Sequence, residues 1–113
     1  MHETGIITQA VHMAIEAAEN AGAGQVKRLR LRVGAMAGVV PDALRFGFEV
    51  VTKGTLAEGA LLEIDLVPVT CRCAAGCGVF TPSDAIFACP VCGRLSTDVV
   101  SGRELDVVEV EVA

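Results

Sequence analysis

Aromatic residues and positive charge are both scarce in this sequence. There is no Trp and no Tyr among its 113 residues, and the only aromatic side chains are four Phe. Surfaces on which nucleic-acid bases could stack are therefore few. Nine Lys and Arg stand against fourteen Asp and Glu, and the net charge of -5 opposes attraction to phosphate. We expect no nucleic-acid partner.

Long apolar runs are also missing. No stretch approaches the roughly 20 residues that a membrane-spanning helix needs. The first residues, Met1–Thr4, do not begin a basic region followed by an apolar one, as a targeting segment would. We expect a cytoplasmic protein without a membrane partner. With 52% hydrophobic residues, the chain can build one compact domain and a small added module.

Two helices are predicted from the spacing of apolar residues. Apolar side chains recur at helical spacing from Ile7 to Ala18, with Thr4 available as the amino-terminal cap and Gly22 after the end. Pro41 suits the first turn of a second helix, in which Leu44, Phe48 and Val51 share one face.

Three segments alternate between apolar and polar residues, as half-buried strands do. They are 26–33, 61–69 and a last segment after Gly102. The residues expected on the apolar side of the second and third strands are Leu62, Ile64, Leu66, Leu105, Val108, Val110 and Val112. The order of elements predicts an α+β fold, a small three-stranded sheet with two helices on one face and an inserted four-cysteine zinc module. The main domain would be 1–69 completed by 102–113, and the module 70–101.

Three arginines alternate along the first strand and suggest either a phosphate or partner site or a charged sheet face. They are Arg28, Arg30 and Arg32. Acidic residues alternate in the same way on the other two strands: Glu63, Asp65, Glu109 and Glu111. We favour ion pairs between neighbouring strands on a solvent-facing side of the sheet.

Five cysteines lie between Cys71 and Cys92. In a reducing cytosol such a group indicates metal ligands rather than disulfides or free thiols. Cys89-Pro90-x-Cys92-Gly93 is a tight knuckle, whose glycine permits the turn that brings backbone amides to sulfur. The first pair is less regular, since three residues separate Cys73 from Cys77 and Cys71 competes as a ligand. We favour Cys71 as the spare cysteine.

Thiolates at two such turns suit tetrahedral zinc, and iron is an alternative. A zinc ion with four protein ligands has no open position, which indicates a structural role. The module is too small to close a core alone, so zinc binding would supply on the order of 10 kcal/mol of its folding free energy.

The sequence Met1-His2-Glu3 offers a second set of donors. The bulky His2 favours retention of Met1, whose free amine could chelate a cation together with the His2 amide and imidazole. The Glu3 amide would complete a plane. Square-planar nitrogen donors suit Ni(II) or Cu(II). A solvated terminus without metal is the alternative.

Short motifs in a fixed order give the chain a family resemblance. They are Met-His-Glu before an amphipathic helix, Val33-Gly34-Ala35, Pro41-x-x-Leu44-x-Phe46-x-Phe48-Glu49, Glu58-Gly59-Ala60, the two cysteine pairs and Gly102-Arg103-Glu104-Leu105. Together they resemble the HypA/HybF family of nickel chaperones for hydrogenase maturation, over essentially the whole chain.

The resemblance implies a nickel-binding α+β domain and a structural zinc domain. It implies His2 as the principal nickel ligand, with Met1 and Glu3 beside it. The zinc ligands it implies are Cys73, Cys77, Cys89 and Cys92, although the family commonly has two residues in the first cysteine gap. The implied partners are the GTPase HypB, the hydrogenase large subunit and, for some members, urease. A homodimer is left open.

Two other classes of protein share the cysteine motifs of this chain. A zinc-ribbon interaction or nucleic-acid module uses similar knuckles, but only Arg72 and Arg94 bring positive charge near the cysteines. A rubredoxin-like iron electron carrier also uses Cys-Pro-x-Cys-Gly, and would be red.

The chain has no phosphate-binding loop of the Gly-x-x-x-x-Gly-Lys-Ser/Thr type and no nucleophile, base and orienting group, so we expect a carrier and not an enzyme. His12 is interpreted as a solvated side chain of the first helix.

Overall fold

The computed structural model describes residues 2–83 and 86–113, with His2 described in its backbone only. In chain order the elements are α1 (His2–Asn20), β1 (Val26–Gly34), α2 (Pro41–Thr52), β2 (Leu61–Val67), β3 (Thr70–Arg72), β4 (Val79–Phe80), β5 (Asp98–Ser101) and β6 (Leu105–Val112). They divide into two compact units. One holds residues up to 32 with 38–65 and 106–113, and the other holds 33–37 and 66–105. The predicted boundaries of a nickel domain and a zinc module stay a prediction.

Helices α1 and α2 provide much of the core of the first unit. The fully or almost fully buried apolar residues of α1 are Ile7, Ala10, Val11, Ala14 and Ala18, which recur at the predicted helical spacing. Helix α2 starts with Pro41 in its first turn and buries Leu44, Phe48 and Thr52. The helices approach closely at Gly47, where a Cβ atom would lie 3.1 Å from Ile7 Cγ2. Neither described helix is long and apolar enough to cross a membrane.

The predicted cap of α1 is wrong. We expected Thr4 to precede the helix, but α1 already begins at His2, so Thr4 lies inside its first turn. There the Thr4 carbonyl accepts a hydrogen bond of 2.7 Å from the Thr8 hydroxyl. Thr4 is thus part of the helix and not its cap. The first turn of α1 also contains His2 and Glu3 of the Met-His-Glu sequence.

The three strands β2, β1 and β6 form one sheet in that order. Leu29, Leu31 and Val33 of the central strand are buried, with at most 3% of their surface exposed. The predicted fold class is therefore confirmed: two helices, a small three-stranded sheet and four cysteines close enough together to hold a metal.

The opposite face of this sheet carries the predicted ion pairs. Arg28 lies 2.6 Å from Glu63, 2.8 Å from Glu109 and 3.0 Å from Glu111. Arg30 pairs with Asp65 at 2.9 Å. Arg28 donates hydrogen bonds to these glutamates, and the bonds to Glu63 and then Glu111 raise the pKa of its guanidinium, so it stays charged at every physiological pH. Within the part of the chain that the structure describes, Arg32 makes no ion pair.

Burial on the edge strands differs from the prediction at three positions. Leu66, Leu105 and Val108 were expected to face the core, but they are 64%, 41% and 39% exposed. Strands β2 and β6 are the outer strands of the sheet, so their side chains have neighbours on one side only. In β6 the alternation is also blurred, since Val107, Val110 and Val112 are the half-buried valines.

The second unit contains a separate sheet in the order β4, β3, β5, with both pairs antiparallel. The sequence did not reveal these strands, because segments of two to four residues are too short to show alternation. At the centre, Cys71 lies opposite Phe80 on one side and Val99 on the other.

Gly34, the last residue of β1, meets Gly102, the residue after β5. A Cβ atom on Gly34 would overlap the Gly102 carbonyl oxygen, and one on Gly102 would lie 2.8 Å from Val69 Cα. The contact is secured by hydrogen bonds of 2.7 Å from Gly34 N to Glu104 O and from Met36 N to Gly102 O. Two of the motifs that carry the family resemblance therefore touch each other, and both need glycine for steric reasons.

Candidate metal centres

Four cysteines of the second unit converge on one point. The sulfur atoms of Cys73, Cys77, Cys89 and Cys92 all lie within 4.8 Å of one another, and those of Cys73 and Cys92 are 3.5 Å apart. Cys73 and Cys89 are buried, whereas Cys77 and Cys92 are exposed. These are the four residues that the sequence analysis named, and Cys71 is outside the group.

Each cysteine pair is shaped by the same local hydrogen bond. The amide of Ala75 donates to Cys73 Sγ at 3.3 Å, and the amide of Val91 donates to Cys89 Sγ at 3.4 Å. The turns then close: Gly76 N donates to Cys73 O at 3.2 Å, and Gly93 N donates to Cys89 O at 2.8 Å. The backbone φ of +77° at Gly93 explains the glycine there. Both pairs are thus knuckles, despite the longer first gap.

Hydrogen bonds and neighbouring sulfurs give the thiols of Cys73 and Cys77 different pKa values. Amide donation from Cys77, and then from Ala75, lowers the pKa of the Cys73 thiol from 9.0 to about 6. The neighbouring Cys73 sulfur, followed by that of Cys92, raises the pKa of Cys77 to about 12. Of the first pair, Cys73 therefore loses its proton more readily, and the thiolate is the form that binds metal.

On one side, the group of four sulfur atoms is shielded from solvent by apolar side chains. Cys73 and Cys89 pack in an apolar cluster with Cys71 and Phe80, and Cys71 is completely buried there. Three half-buried side chains complete the cluster: Val69, Phe87 and Val99. We predicted a strand that ends at residue 69, before Cys71, but Cys71 lies within β3, where it packs behind the sulfur group. This packing role of Cys71 was not predicted, and its only sequence signal is that Cys71 and Val69 alternate with the polar Thr70.

The other predicted site is at the amino terminus. Met1 and the side chain of His2 lie outside the described residues. Glu3 is half-buried, and its carboxylate accepts a hydrogen bond of 3.5 Å from the Val40 amide, at the amino end of α2. That contact was not predicted, because nothing in the sequence connects positions so far apart. His12 is exposed, as expected.

Fold and site together define a small metal-binding α+β protein whose second unit is organised around four cysteine thiols. The chain belongs to the HypA family. Its residues 1–112 match the family model described as hydrogenase/urease nickel incorporation, metallochaperone.

Relatives of known name agree with this assignment. A hydrogenase maturation factor HypA from a Picosynechococcus species is 48% identical over 112 residues, covering 99% of both chains. The HypA of Chloroflexus aggregans is 43% identical and covers 98% of both. The fold resembles a solution structure of HypA protein, with a TM-score of 0.74 at 20% identity over 100% of this chain and 97% of that one. A solution structure of the nickel metallochaperone HypA from Helicobacter pylori gives 0.65 at 20% identity, over 97% and 96%.

Proposed function

We propose that this protein is a nickel metallochaperone that binds Ni(II) at Met1, His2 and Glu3 and delivers it for hydrogenase maturation. The donors are the Met1 amine, the His2 amide and imidazole, and the Glu3 amide. The observation that carries the proposal is the family match over residues 1–112. The protein acts in the cytoplasm as a carrier without an activity of its own, and a HypB-type GTPase and the hydrogenase large subunit are its partners.

The start of α1 supports the nickel part of the proposal. The first four amides of a helix have no acceptor within the helix, so the amides of His2 and Glu3 are not committed to helical hydrogen bonds. The Glu3 carboxylate accepts a hydrogen bond from the Val40 amide, and the donor assigned to the metal is the backbone amide of Glu3. Nitrogen donors of this kind favour square-planar Ni(II).

The sulfur geometry supports a structural zinc ion held by Cys73, Cys77, Cys89 and Cys92. With Zn–S bonds of about 2.3 Å, a tetrahedral site needs sulfurs about 3.8 Å apart. The four sulfurs here lie within 4.8 Å of one another, with one pair 3.5 Å apart, so small side-chain shifts give that geometry. Because all four positions of the ion would be filled by protein, zinc would hold the two knuckles together and take no part in nickel chemistry.

A nickel titration tests the proposal. The untagged protein should bind one Ni(II), and a protein with residues added before Met1 should not, because its amine has become an amide. His2→Ala should also abolish binding. His12→Ala is the matched control and should bind normally, with zinc content constant in all four proteins. Equal nickel affinity and stoichiometry in the tagged and untagged proteins would remove the proposed site.

The spin state of bound nickel gives an independent check. Four strong nitrogen donors in a plane should make the ion diamagnetic. An octahedral site recruited from other nitrogen and oxygen ligands would instead be paramagnetic, and would show that a different part of the chain binds the metal.

A further inference from the structure

The four sulfur atoms of the second unit divide into a buried pair and an exposed pair. Cys73 and Cys89 come first in their knuckles and are buried. Cys77 and Cys92 come last and are exposed, and the whole segment 90–95 around Cys92 is exposed as well. The apolar cluster shields the buried pair from behind. A small reagent in solution therefore reaches the group of sulfurs through its exposed members.

One exposed sulfur lies against a buried sulfur of the other knuckle. The Sγ atoms of Cys92 and Cys73 are 3.5 Å apart, although the two residues are 19 positions apart in the chain. A disulfide bond is about 2 Å long, so side-chain rotation over a short distance can join these atoms. The fifth cysteine, Cys71, is completely buried within β3 and lies outside the group of four, so it is not placed to compete.

We propose that Cys92 is an oxidation site, where hydrogen peroxide converts the four-cysteine zinc site into a Cys73–Cys92 disulfide and releases the ion. The proposal rests on the zinc site of the proposed function. The Cys92 thiolate attacks one peroxide oxygen, the O–O bond breaks, and the other oxygen leaves as hydroxide. The Cys73 thiolate then attacks the sulfur of the resulting sulfenic acid and displaces a second hydroxide. Two thiolates thus lose two electrons to the peroxide, and both hydroxides take up protons to form water.

The new bond removes two of the four metal ligands at once. Cys77 and Cys89 remain, one in each knuckle, and a structural zinc site needs four protein ligands. The disulfide also joins the two knuckles where the ion had joined them, and a cross-link across 19 positions restricts the unfolded chain. Oxidation therefore differs from loss of a cysteine by substitution, because a thiol reductant can reverse it.

The test uses the untagged full-length protein, purified under reducing conditions and then freed of reductant, with its zinc counted first. One molar equivalent of hydrogen peroxide should release close to one equivalent of zinc to a chromogenic chelator. Two of the five thiols should be consumed, and mass mapping of unreduced peptides should join Cys73 to Cys92. Dithiothreitol followed by zinc should restore all five thiols and the bound ion.

Cys71→Ser is the matched control, because Cys71 is buried beside the site and is not one of its four ligands. This variant should release the same fraction of its zinc and form the same bond. Zinc that stays bound after oxidation, a disulfide between any other cysteines of one chain or two, or sulfinic acid in place of the bond would overturn this proposal alone. A reduced protein that contains no zinc before oxidation would refute the zinc site, and this proposal with it.

Discussion

Cys71 and Cys73 are two positions apart and both buried, yet only Cys73 shares the sulfur group with Cys77, Cys89 and Cys92. The difference lies in the backbone. Cys71 is paired on both sides within β3, whereas Cys73 follows the strand, at the start of a turn where amides can point at its sulfur. A cysteine in the middle of a sheet fills space, and a cysteine in a turn can bind a metal.

We therefore expect opposite results from two neighbouring substitutions. Cys71→Ser should keep close to one equivalent of zinc, with some loss of stability because a hydroxyl replaces a buried thiol. Cys73→Ser should lose the metal. Zinc can be counted by elemental analysis after dialysis. The reverse pattern would make Cys71 the first ligand and leave the proposed nickel function unchanged.

The structure leaves no room for a Cβ atom at Gly34, so its replacement should lower the unfolding free energy. Gly34→Ala would place Cβ against the backbone of Gly102 and Arg103, which cannot move without breaking the hydrogen bonds around it. We expect a loss on the order of 3 kcal/mol or more in unfolding free energy, measured with denaturant. Gly24→Ala is the control, since a Cβ there meets nothing within 4 Å. Similar stability in both variants would contradict the close contact.

Helices and strands were predicted correctly from the sequence where the spacing of apolar and polar residues extended over enough positions. Arg28 and Arg30 occupy every second position of β1, and acidic residues do the same on the neighbouring strands. This pattern correctly predicted the charged face of the first sheet. The helical spacing of apolar residues correctly gave both helices. The short strands β3, β4 and β5 were missed because they contain no full period, and the exposure of Leu66 depends on its place at a sheet edge, which composition does not encode.

The charged face should stabilise the sheet through Arg28 in particular. Arg28→Ala would leave three carboxylates close together without their shared cation, so the denaturation midpoint should fall. The loss should shrink in high salt, which screens the remaining carboxylates. Arg32→Ala should have little effect, because Arg32 lacks an ion pair among the described residues. Equal midpoints for the two variants at low salt would show that the network contributes nothing.

Helix α1 should shorten when nickel binds. A chelate ring through consecutive backbone nitrogens must be nearly planar, whereas helical ψ is about -42°. His2 and Glu3 must therefore leave helical geometry, while Ile7 onward stays fixed by its packing. Amide resonances of the first turn should shift on nickel addition, and those of α2 beyond its first turn should not.

Nickel affinity should also fall as pH drops through ~8 to ~6.5, since protons compete for the amine and imidazole. Affinity independent of pH would exclude these donors.

The two units of the whole molecule bury different sets of apolar side chains around the metal cluster and around the helices. The apolar cluster behind the cysteines contains only residues of the second unit, and the buried side chains of α1 and α2 belong to the first. Metal loss should therefore affect the two units unequally.

Cys89→Ser and Cys92→Ser should each lose close to one equivalent of zinc and unfold the second unit, because its small cluster cannot replace the metal. The helical circular dichroism signal should remain, since both helices lie in the first unit. Metal analysis and the signal at 222 nm can be followed on the same samples. Full zinc retention in either variant would refute the assignment, and loss of the helices would show that the units fold as one.

Strand β6 pairs with β1 although α2, β2 and all five cysteines lie between them in the chain. The pairing extends to hydrogen bonds that join Ala113 with Gly24 and Gln25. The first sheet therefore stays one strand short until the last residues of the chain are free to fold, whereas every cysteine precedes β6 in the chain. We expect the four-cysteine cluster to be able to take up its ion before α1 has a finished sheet to pack against.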